Sequence, residues 1–167
     1  MELLINPTGT DTGREWIEVV NHGTRVVSLR ELHIADALND APVQFSGGGG
    51  DASTAVVSQL GPGVRAILIQ SGDATKNGGI SLGGGSLVGT FGTLVSLNNQ
   101  ADVISICVGA CATGVVIDRV SWDETLGPGY DGHALSIDDD GRRCPAITPF
   151  GDAGSFGTPL AANQPCP

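Results

Sequence analysis

Residues 96–122 read SLNNQADVISICVGACATGVVIDRVSW. Two runs rich in Val and Ile, 102–108 and 114–122, flank the segment CVGAC. β-Branched side chains are stiff at χ1 and fit a pleated surface, so each run reads as a strand. NNQAD before the first run and GAC-ATG between the two are turn signals, which makes the runs neighbouring strands. Cys107 and Cys111 sit where they meet. Nearby cysteines serve as zinc ligands, as a redox couple or as a staple. A structural zinc site usually takes two C-x2-4-C pairs. Cys107 and Cys111 make one, but Cys144 and Cys166 are 22 apart and do not make the second. A thioredoxin-like couple needs C-x-x-C at a helix N-terminus, where the dipole lowers the thiol pKa. Here the spacing is one residue too long and strands surround it. The cysteines therefore read as disulfides.

Four cysteines allow three pairings, and neighbours along the chain favour Cys107–Cys111 with Cys144–Cys166. In the chain-entropy picture the short loop contributes about 2 kcal/mol and the longer one about 3 kcal/mol. Any such pairing implies an oxidising compartment.

Similar short runs recur outward from this hairpin, at 2–6, 15–22, 26–32, 65–71 and 133–138. Turn-forming clusters such as NHG, GPG, GPGYDG and DDDG separate them. Stretch 28–40, SLRELHIADALND, alternates with Leu32 and Ile34 on one face and Glu31 and His33 on the other. It reads as strand then loop rather than helix. No strand alternates with a helical pattern, so a parallel α/β sheet is not expected. The expectation is an all-β antiparallel sandwich or barrel. The 167 residues suit one domain, 1–167. Two Gly-rich stretches, 46–55 and 72–92, read as insertions, pairing segments or a binding surface.

The net charge is −10, with Lys76 the sole lysine. Such a surface repels phosphate backbones, so no nucleic-acid partner is expected. No apolar run reaches the roughly 18–20 residues of a transmembrane helix. MELLINPTG has neither a basic n-region nor an apolar h-region, so the chain reads as a domain cut from a longer precursor.

Chemistry-bearing motifs are sparse. GISLG at 79–83 fits G-x-S-x-G with Ser81 as nucleophile, but the Gly-rich sequence after it does not make the required helix. His22, His33 and His133 show no H-x-x-x-H or H-E-x-x-H spacing. Acidic loops occur at Asp138, Asp139 and Asp140, at Asp36, Asn39 and Asp40, and at Asp123, Glu124 and Asp131. Calcium needs about six to eight oxygens, and none of these loops follows the EF-hand pattern. Asp138–Asp140 remain the calcium candidate, with a plain β-turn as the alternative. Trp16, Ile17, Val19, Val20, Phe45, Trp122 and Phe150 read as core residues. Glu18, among apolar neighbours, should face outward or cap a partner.

The order of segments is itself informative. ELLINPTG followed by EWIEVVNHG resembles the opening of the lamin-tail domain family, which runs E-[IL]-x-x-N-P-x-G, then E-W-I-E-[LV]-x-N. LGPGVRAILI (60–69), SLNNQADVISI (96–106) and GVVIDRVSW (114–122) resemble its later segments in order. GHALSIDDDG (132–141) and FGTPLAAN (156–163) resemble its closing elements. Ala101 replaces a frequent Gly, and Ile137 and Asp138 replace a basic residue. The resemblance implies an immunoglobulin-like β-sandwich without catalytic residues, and bacterial members are commonly parts of secreted or surface proteins. The expectation is thus a non-enzymatic interaction or attachment module that is secreted, periplasmic or at the cell surface. It would have a protein or cell-surface partner and no cofactor. The alternatives are a calcium-dependent adhesion module and a hydrolase using Ser81. The residues that contact the partner cannot be read from the sequence.

Overall fold

The computed structural model describes residues 1–45, 59–80, 87–123, 130–152 and 154–167. Strands β1 (Glu2–Leu4), β2 (Trp16–Val20), β8 (Arg65–Ile69), β9 (Leu87–Thr90), β6 (Gln44–Phe45), β12 (Leu135–Ile137) and β13 (Arg143–Pro145) form one sheet. Its order is β13-β12-β1-β2-β8-β9-β6. Strands β11 (Val115–Trp122), β10 (Asp102–Val108), β4 (Leu32–Ala35) and β5 (Asp40–Pro42) form a second sheet in that order. Short strands β3 (Val27–Ser28) and β7 (Gln59–Leu60) pair separately. The fold is an all-β sandwich.

Period-2 alternation assigns each residue of the large sheet to a face. Leu135, Leu3, Ile17 and Leu68 stand in register and point toward the four-stranded sheet. They meet Leu32, Ile34, Ile104, Ile106, Val120 and Trp122 there. The neighbouring residues Leu4, Trp16, Ile67 and Ile69 point the other way, yet they too are buried. Ile80, Ala146, Phe150 and Leu160 cover them. Trp16 and Phe150 meet edge to face at 5.7 Å. The expected core residues Trp16 and Ile17 therefore serve opposite faces of the same strand. The large sheet is buried on both sides, which usually belongs to parallel sheets.

Three features depart from the sequence reading. The run 26–32 is divided: Leu29 turns inward, the Leu32 amide bonds the Leu29 carbonyl at 3.2 Å, and the chain passes from β3 to β4. The Gly-rich stretch 72–92 supplies β9, which pairs with β8 in parallel, from Ala66↔Leu87 to Ile69↔Thr90. Gly89 lets β6 close on the other side of β9, because a Cβ there would collide with the side chains of Val43 and Phe45. The third is Glu18. It caps partners as expected but lies wholly buried inside the back face, directly opposite Glu2 across β1 and β2.

These carboxylates hold the cover in place. Glu2 accepts bonds from the Thr158 amide (2.8 Å) and hydroxyl (3.0 Å). Glu18 accepts the Leu160 amide (2.5 Å) and Arg65 Nε (3.0 Å). Leu160 takes a left-handed φ of 65°, uncommon for a non-glycine residue and maintained here by its surroundings. Glu15 does the same for another connection, accepting the Leu97 amide (3.0 Å), Gln70 Nε2 (3.0 Å) and Ser96 Oγ (3.3 Å). Cys144–Cys166 ties the end of the cover to β13, with S–S 2.15 Å.

Burial pushes the carboxyls of Glu15 and Glu18 up to about 7, despite the amide bonds that act in the other direction. Burial raises Glu2 as well. A raised carboxyl keeps its proton in the native state between the ordinary value of 4.5 and about 7. The native state then binds more protons than the unfolded chain, so stability falls as pH rises through that window. Asp36, Asp73 and Asp138 are held below their ordinary 3.8 and act oppositely, only in more acid solution. The melting temperature should be higher at about pH 5 than at about pH 8. Glu18→Gln should flatten part of that slope in a pH series of thermal melts.

The disulfides give a second expected outcome. The oxidised protein should show no titratable thiol in denaturant. Cys144→Ser with Cys166→Ser should cost about 3 kcal/mol in urea unfolding, and the Cys107 and Cys111 double variant about 2 kcal/mol.

Candidate interaction groove

At the end of the sandwich where β2 and β12 finish, the two sheets leave a groove of about 690 Å³. Its floor is the buried side chains of Leu29, Leu32, Leu60 and Ile106. Val19, continuing the inward alternation of Ile17, lines one wall, and Ile137, two residues beyond Leu135, lines another. The opposite wall comes from Ile117 and Asp118 of β11. Asp118 stands opposite Ile106, but at Cys107 the register shifts and the partner becomes Val116. The extra residue is Ile117, so a β-bulge re-aims this part of the strand toward the groove mouth. A smaller cleft of about 190 Å³ shares Met1, Val20, His22 and Asp139 and extends to Asn163 and Pro165.

The rim is acidic, but its carboxylates are not equivalent. Asp138 accepts the amides of Arg142 (2.9 Å), Asp140 (3.0 Å) and Cys166 (3.3 Å). It also pairs with the Arg142 guanidinium at 3.0 Å. Desolvation alone would raise its carboxyl, but these amide bonds and the Arg142 charge outweigh that and hold it below its ordinary value. Asp140 shares the same arginine at 3.4 Å. Asp139 has no ion pair among the described residues. Asp118 bonds only its neighbour's amide, Arg119 N, at 2.7 Å, while the Arg119 side chain turns to Ser105 Oγ at 3.2 Å. Among the described residues, Asp118 and Asp139 thus bring carboxylates without an ion pair to an apolar groove.

The other residues singled out in the sequence are dispersed. Cys107 and Cys111 are bonded, S–S 2.06 Å, and the turn between them folds onto the outer face of the small sheet. There the Cys111 amide bonds Asp40 Oδ2 at 2.5 Å, and Asp40 Oδ1 meets His33 Nδ1 at 2.6 Å. His133 stacks on Phe156 with centroids 4.2 Å apart and bonds the Ala146 carbonyl at 2.6 Å. His22 lines the groove. Asp36 caps its own turn through the amides of Leu38 and Asn39, at 2.7 and 2.6 Å. Asp131 accepts a bond from Asn6 Nδ2. Among the described residues no three His, Cys, Asp or Glu side chains converge as a metal cage requires. Asp138, the central calcium candidate, commits its oxygens to backbone amides and Arg142. Ser81 and Glu124 lie outside the described residues.

Sequence reasoning did not single out Ile117 or Asp118 for binding, and it named Asp139 only as a calcium candidate. The available signal was local: VVI at 115–117 breaks the alternation expected of a half-buried strand. Comparison of the chain with family models, curated proteins and solved structures returned no match.

Proposed function

We propose that this chain is a non-enzymatic interaction module of the lamin-tail type, an immunoglobulin-like sandwich carried by a larger exported protein, and that its end groove is the docking surface. The observation that carries this reading is the groove itself, an apolar floor between two sheets with, at its mouth, two carboxylates that have no ion pair among the described residues. Concave apolar sites with a few placed polar groups are the usual form of a binding site.

Two further observations support it. The segments that resemble the lamin-tail pattern bond to one another. Glu15 of EWIE holds Leu97 of SLNNQAD, and Glu18 of EWIE holds Leu160 of FGTPLAAN. The motif residues thus have structural tasks, as expected of a scaffold family. Two of the three histidines also have structural partners, His33 in Asp40 and His133 in Phe156 and Ala146. The two disulfides suit an oxidising compartment, and secretion, the periplasm or a cell surface would each provide one.

The test is selection of random peptides displayed on phage against the oxidised protein. Peptides should be enriched, and enrichment should be lost with Val27→Glu and Ile117→Glu combined. That pair of partly exposed residues should leave the melting temperature within a few degrees. Enrichment indifferent to those substitutions, or a hydrolase activity abolished by Ser81→Ala, would overturn the reading.

A further inference from the structure

The outer strands of the two main sheets are built differently. β5 has three residues and ends in Pro42, β13 has three and ends in Pro145, and β6 has two. β11 has eight residues and no proline. Short edge strands and prolines are the common means of preventing another chain from adding to a sheet. β11 has neither protection.

Its two halves also differ. In the C-terminal half Val120 and Trp122 are buried, and Arg143 Nη1 occupies the Ser121 carbonyl at 2.6 Å. The N-terminal half carries three successive exposed apolar residues, Val115 (66% exposed), Val116 (50%) and Ile117 (50%). Among the described residues the open edge runs from Val115 to Asp118, whose carboxylate takes the Arg119 amide, and it reaches the groove at Ile117 and Asp118.

We infer that this edge receives an extended segment of a partner protein as an added strand, one in which β-branched apolar residues alternate with lysine or arginine. The inference rests on the interaction-module reading and names the class of partner. Strand addition draws affinity from main-chain hydrogen bonds and specificity from the pockets that receive alternate side chains. The incoming strand would lay its apolar side chains against Val116, which stands opposite Cys107 on the outer face of β11 and is 50% exposed. Cations on its other face, turned toward the groove, would meet Asp118 on the edge and Asp139 across the mouth, two rim carboxylates without an ion pair among the described residues. The same charges oppose pairing with a second copy, since each copy carries −10 and would bring its acidic rim against another.

Peptides of about eight residues, the length of β11, provide the test. One alternates valine with lysine, and its counterpart alternates valine with glutamate. Two further versions of the first carry backbone N-methyl groups on the odd or on the even residues. A strand offers only alternate amides to its neighbour, so one N-methylated version should lose binding while the other retains it. Calorimetry at low salt should show the valine–lysine peptide binding at least about tenfold more tightly than the valine–glutamate one. The difference should shrink as salt is added. Amide hydrogen exchange should slow within β11 on binding.

Equal binding of both N-methylated versions would overturn strand addition while leaving a groove-binding module intact. Equal binding of the lysine and glutamate peptides would overturn the assigned charge. No peptide binding, with concentration-dependent self-association in sedimentation, would make a second copy the occupant and overturn the proposal. Absence of binding without self-association would overturn it as well. The module reading itself fails separately, on the response of phage-selected peptides to Val27→Glu and Ile117→Glu.

Discussion

Glu18 stands at the middle of the seven-stranded sheet, opposite Glu2 on one side and Ile67 on the other, with no exposure to solvent. A buried carboxylate is tolerated only where its hydrogen-bonding capacity is used. Here it is used by the amide of an irregular segment and by one arginine. That arrangement allows the large sheet to be apolar on both faces. Trp16, Ile67 and Ile69 would otherwise face water, and the segment that shields them has little regular structure of its own. Strand ladders supply the usual partners for backbone amides. In the C-terminal cover, glutamate side chains rooted in the sheet take that role for Thr158 and Leu160.

Those bonds divide the molecule into a sealed side and an open side. The sealed side is the back of the large sheet, closed by side chains from 146–160 and tied down by Cys144–Cys166. The open side is the end where Val19, Ile137 and Ile117 surround the groove. Asp138 belongs to both, because it bonds the Cys166 amide while its turn forms part of the groove rim. The groove rim is therefore joined to the anchoring of the cover through a single acidic turn.

The strands legible in the sequence were those with continuous Val, Ile and Leu runs, such as 65–69 and 102–108. β5, β9 and β13 read DAP, LVGT and RCP and carry no such signal. They are strands because a neighbour offers a ladder, an effect of tertiary context on weak local preference. The disulfide pairing was legible because proximity along the chain matched proximity in space. Glu18 was legible as a capping residue, but its partner lies 142 positions away in sequence and no local pattern could name it. The groove escaped notice for a related reason. Its residues are the last inward positions of several elements and one bulged residue, and they converge only when the sheets pack.

Cys144–Cys166 closes a covalent ring around the C-terminal part of the back cover, with a sequence separation of 22. Within that ring lie the exposed residues Ile147, Gly151, Asp152 and Gly154. Exposed loop positions of this kind are favoured places for proteases to cut. A single cut anywhere inside the ring would leave the two fragments joined through sulfur, with Thr158 and Leu160 still beside their glutamates. The cover can be nicked without being shed, a form of durability that lasts as long as the disulfide stays oxidised.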